Sequence, residues 1–70
     1  MITMKQVIEA KESYKSLDIK LSNGKTMHID FNNFLIYRIH PTHGGEHVRN
    51  FYGNSTKMLN LCKRYLKNQV

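Results

Sequence analysis

The chain has one cysteine, one proline, four glycines, no tryptophan and only five carboxylate residues among its 70 positions. A lone thiol, Cys62, can close neither an intramolecular disulfide nor a multi-cysteine zinc site, so the fold has to stand on packing, with dimerisation as the available aid. No stretch approaches the ~20 apolar residues that cross a bilayer, and Met1 to Ala10 lacks the apolar centre of a secretion signal. The expectation is a soluble, cytoplasmic protein with no membrane partner. No P-loop, dinucleotide fingerprint or Ser-His-Asp arrangement occurs, so the chain is expected to be non-enzymatic and free of cofactors.

What is present is enough apolar material, 40% of residues, for one modest core spanning residues 1–70. There is also an excess of positive charge. Eleven Lys and Arg against five Asp and Glu give +6, which favours polyanions or acidic protein surfaces as partners. The excess is uneven. Residues 36–70 hold Arg38, Arg49, Lys57, Lys63, Arg64 and Lys67 against Glu46 alone, six minus one.

Thr3 followed by Gln6 forms a capping-box signature, and Met4, Val7, Ile8 and Tyr14 recur at helical spacing, which predicts a helix over Met4 to Tyr14. Leu17, Ile19 and Leu21 then alternate with polar residues, as do Met27, Ile29 and Phe31. Asn23-Gly24 lies between these strands. A two-residue loop would scatter the apolar residues over both faces. A three-residue loop, Ser22 to Gly24 with Gly24 left-handed, pairs Ile19 with Met27 and Leu17 with Ile29 and makes one face wholly apolar. Asn32-Asn33 predicts a turn, Phe34 to His40 a third strand, and Glu46 to Tyr52 a fourth. Gly53-Asn54 ends that strand, and Ser55 is expected to cap a second helix with an apolar stripe of Met58, Leu59, Leu61, Cys62, Tyr65 and Leu66.

The expected fold is α+β, with an antiparallel sheet of three to four strands and both helices on one face. If Leu35, Tyr37, Ile39, Val48 and Tyr52 point at the helices, alternation leaves Lys20, His28, Arg38, His40, Arg49, Phe34, Ile36 and Phe51 on the open face. Cations interleaved with aromatics suit nucleic acid, because cations neutralise phosphates and rings stack on bases. The candidate DNA- or RNA-binding residues are therefore Lys20, Phe34, Arg38, Arg49, Phe51, Lys57, Lys63, Arg64 and Lys67, on a basic open sheet face and the C-terminal helix. The same apolar residues would equally serve a core or a homodimer seam. The competing function is a small interaction or inhibitor protein of phage or mobile-element type that binds an acidic surface on a host enzyme.

From Tyr37 to Leu66 the order is hairpin, Gly53-Asn54-Ser55-Thr56-Lys57, then amphipathic helix. It resembles the sheet-plus-helix DNA-binding domains at the N-termini of some phage-type integrases. The whole element order is similar to that of double-stranded-RNA-binding domains, without their paired lysines at the start of the second helix. His40, His43 and His47 have the composition of a metal site, but no cysteine couple supports them. Their expected effect is added positive charge below about pH 6.5.

Overall fold

A computed structural model describes the backbone of residues 1–70 and every side chain except that of His47. The order is α1 (Met4–Glu12), β1 (Ser16–Lys20), β2 (Thr26–Asp30), β3 (Leu35–His40), β4 (Gly44–Asn50) and α2 (Ser55–Lys67). The four strands form one antiparallel sheet in chain order, in keeping with the α+β expectation. Among the described residues no helix is long and apolar enough to cross a membrane.

The capping box at Thr3 is formed: the Thr3 hydroxyl accepts the Gln6 N–H, and the Gln6 side chain accepts the Thr3 N–H at 2.8 Å. The helix ends two residues before the predicted Tyr14. Tyr14 itself turns left-handed, with φ 53°. Its N–H donates to Lys11 O and that of Lys15 to Ala10 O, the Schellman pattern in which glycine usually holds the left-handed place.

The first hairpin has the expected register. Ile19 pairs with Met27 and Leu17 with Ile29, and Gly24 takes φ 88° in the three-residue loop. Between β2 and β3, the Asp30 carboxylate accepts the backbone N–H groups of Asn32 and Asn33 and the Asn33 side-chain amide, at 2.9 to 3.0 Å. These bonds tie the polypeptide into the turn that sets how β3 enters the sheet.

The parity of β3 is the opposite of the expected one. Ile36 stands beside Ile29 and Arg38 beside Met27, so Ile36 and Arg38 share the helix-covered face while Leu35, Tyr37 and Ile39 occupy the open one. Phe34 is not a strand residue: it closes the turn at φ 58° with its half-buried ring against the core. The strand β4 runs from Gly44 to Asn50, not from Glu46 to Tyr52, and it carries a bulge. Ile36 faces Arg49 and Tyr37 faces His47, so Val48 is the extra residue. That insertion moves Arg49 to the helix side. Phe51, expected on the open face, is buried, and Tyr52, expected under the helices, is exposed.

Ser55 is not the cap of α2. Asn54 takes that place and accepts the Lys57 N–H at 3.1 Å. The core between sheet and helices holds Val7, Ala10, Ile19, Met27, Ile29, Phe31, Ile36, Phe51, Met58 and Cys62. Residues 68–70 pair along the free edge of β1, with Ser22 N–H donating to Asn68 O and Val70 N–H to Lys20 O. The Gln69 amide bonds both ways with the backbone of Ile2. One sheet edge is thereby covered by the chain's own end.

Candidate functional site

The helix α2 presents two faces. Met58 and Cys62 are buried, with Leu59, Leu61, Tyr65 and Leu66 half-buried beside them. Lys57, Lys63, Arg64 and Lys67 are all exposed. At 100° per residue these four cations fall within about 120° of arc, and Lys57 to Lys67 spans ~15 Å along the axis. There is no carboxylate anywhere in Ser55–Lys67.

A shallow groove of about 270 Å³ separates this face from β4, lined by Arg49, Phe51, Lys57, Asn60, Leu61 and Arg64. Phe51 is its floor, 5% exposed. The Arg49 guanidinium lies 5.0 Å from the centre of that ring, a cation–π arrangement worth about 0.5–1 kcal/mol that holds the charge over the groove. Deeper in, burial raises the Tyr65 hydroxyl above its usual range and the nearby Cys62 adds to this, while the charges of Arg38 and Arg64 pull it back.

Arg38, on the helix side of β3, does not line the groove and is already paired. Its guanidinium donates to Glu46 at 2.8 Å, and His40 lies 3.2 Å from the other oxygen of the same carboxylate. His40 bonding and the two positive neighbours outweigh the modest loss of solvent and hold the Glu46 carboxyl below its ordinary value. Among the described residues there are three ion pairs in all, the third joining His28 to Asp18. None involves Arg49, Lys57, Lys63, Arg64 or Lys67.

The open sheet face is not basic. Its strand positions carry Asp18 and Asp30 against Lys20, and Asp18 accepts His28 Nδ1–H at 2.6 Å. Burial raises the Asp30 carboxyl, but its bonds from Asn33 and Asn32 and the charge of His28 overcome that and lower it on balance. Of the residues singled out from sequence, Lys20 and His28 do lie on this face. Arg38, His40 and Arg49 lie on the helix side; Phe34, Ile36 and Phe51 turn inward and have no free ring or side chain to stack. The structure brings Arg49, Phe51, Lys57 and Arg64 together at the groove, with Lys63 and Lys67 further along α2.

No three of the described His, Cys, Asp and Glu side chains converge as metal ligands. His40 is turned to Glu46 and the His43 ring stands 6.2 Å from it; the side chain of His47 lies outside the described residues. Cys62 is buried on the core side of α2, and burial pushes its thiol up to about 12, so it is an apolar filler and not a nucleophile. The residue missed from sequence is Tyr52, whose ring is 88% exposed at the junction of β4 and α2. The Gly53-Asn54 that follows it was its available signal.

The chain matches no protein-family model, no curated protein and no solved structure.

Proposed function

We propose that the protein is a non-enzymatic nucleic-acid-binding module that takes the sugar–phosphate backbone on the exposed face of α2 and the adjoining end of β4. One observation carries this reading: the net charge is almost wholly local to that surface. Arg49, Lys57, Lys63, Arg64 and Lys67 contribute +5 with no carboxylate within ion-pair distance. The remaining six cations face five carboxylates, leaving +1 for the rest of the molecule. Five like charges held on one side of a small protein repel each other, and a polyanion that displaces its own counterions is the ligand best matched to them.

Fluorescence anisotropy with a labelled oligonucleotide tests the proposal. Five phosphate contacts predict a log–log salt slope of about −3.5 on a single strand, so affinity should fall about a hundredfold between ~50 and ~200 mM salt. Lys57→Ala and Arg64→Ala should each flatten the slope by about 0.7, whereas Lys20→Ala, on the opposite face, should leave it unchanged. A flat salt response, or equal effects of all three substitutions, refutes the assignment.

A further inference from the structure

The turn that delivers the chain from β4 into α2 carries an exposed ring under backbone strain. Asn54 N–H donates to Phe51 O at 2.9 Å, and the two residues inside that turn, Tyr52 and Gly53, have φ 48° and 86°. Two successive positive φ values mark a type I′ turn, whose first inner position favours Asn, Asp or Gly. A bulky L-residue there is strained. The conformation is nonetheless pinned from the other side, because Asn50 Oδ1 accepts the Tyr52 N–H at 2.8 Å.

Two other aromatic residues in this chain are left-handed, and each has a local reason. Phe34 packs its ring on the core. Tyr14 completes the Schellman end of α1. Tyr52 has backbone bonds of its own but, unlike Phe34, no packed ring. Its ring is 88% exposed, directly after the buried Phe51 over which Arg49 sits, and two residues before the cap of the helix that carries Lys57. Strain that ring packing does not repay, at the residue next in sequence to the groove floor Phe51, points to a role outside folding.

We infer that Tyr52 is the base-stacking residue of this surface and that the preferred ligand is single-stranded nucleic acid. The inference rests on the α2–β4 face being a polyanion surface and adds what that face selects. An aromatic ring gains by stacking on an unpaired base of any sequence, and Arg49 and Lys57, on the two elements that its turn joins, would take the flanking phosphates. In a duplex the bases are already stacked on one another, so a ring projecting from a turn gains little there. The expected preference is for short single strands without sequence selectivity.

The chain contains no tryptophan, so Tyr52→Trp places a lone indole reporter at the site. Titration with oligothymidylate should quench that emission in step with the anisotropy of a labelled strand. Tyr52→Ala should weaken oligothymidylate binding about tenfold and binding of a duplex of equal length less than about twofold. Tyr14→Ala, the other exposed left-handed tyrosine, should change neither. Salt-dependent binding with an unquenched indole, or an equal loss on both ligands with Tyr52→Ala, overturns the stacking role and leaves the basic face standing. No salt-dependent anisotropy on either ligand overturns both. Circular dichroism of each variant separates loss of contact from loss of fold.

Discussion

Replacing Tyr52 with asparagine should stabilise the protein. A left-handed conformation costs an ordinary L-residue about 1–2 kcal/mol, and asparagine is among the few side chains that tolerate it. Against this stands the burial that the ring would lose. A tyrosine offers roughly 150–250 Å², and with Tyr52 88% exposed only ~25 Å² of it is covered, worth ~0.6 kcal/mol at about 25 cal/mol/Å². Tyr52→Asn also places Asn before Gly53, the favoured pair for a type I′ turn. The net gain is about 1 kcal/mol, which in a domain of this size raises Tm by about 4–8 °C and moves the urea midpoint up by ~1 M. Phe34→Asn supplies the opposite sign at the same kind of backbone position. Its ring is packed on the core, so its removal should destabilise by about 2 kcal/mol despite relieving φ 58°. Thermal and urea unfolding of the two variants decide the matter. A lower Tm for Tyr52→Asn, or the same sign for both, would refute the reasoning that separates strain repaid by packing from strain that is not.

Two further outcomes follow from the carboxylates. The Asp30 carboxyl is lowered in the fold, so its stabilisation is complete above its unfolded value and is lost as pH falls through the folded one; Asp30→Ala should cost about 1–2 kcal/mol near neutrality and less at acid pH, as read from urea midpoints across a pH series. Glu46→Gln removes the charge that holds Arg38 and should free a sixth cation beside the groove, steepening the salt slope of single-strand binding by about 0.7; an unchanged slope would show that Arg38 does not reach the ligand.

The first hairpin was legible because Leu17, Ile19, Met27 and Ile29 alternate cleanly with polar residues, so only one loop length keeps them on one face. The helix α2 was legible for the same reason at a different period. The face of β3 was not. From Phe34 to Ile39 every residue but Arg38 is apolar, so periodicity carries no parity, and the orientation is set by the Asp30-bonded turn that removes Phe34 from the strand. The bulge at Val48 has no signature in the residues around it, yet it decides which side of the sheet receives Arg49. Of the cations that sequence grouped as phosphate contacts, Arg49, Lys57 and Arg64 share one groove on the helix-covered side of the sheet, whereas Arg38 lies outside it, paired with Glu46.

That displacement changes what the charge can mean. On the open face, lysines and arginines would have been interleaved with Asp18 and Asp30 and largely cancelled. On the α2–β4 surface Arg49, Lys57 and Arg64 meet no carboxylate, while Arg38 is paired with Glu46, and two departures from local preference fall at the same short junction. Arg64 and Lys67 occupy the last turn of α2, where the helix dipole favours positive charge. Lys57 occupies the first turn, three residues past the Asn54 cap, where the dipole opposes it and where a capping box would place Glu or Gln. Two residues before that cap stands Tyr52 in a conformation suited to Asn or Gly. Tyr14 and Phe34 are left-handed as well, but neither lines the groove. Local choices that work against stability are expected where a surface is shaped for a partner, and Tyr52 and Lys57 are two of them within one short junction.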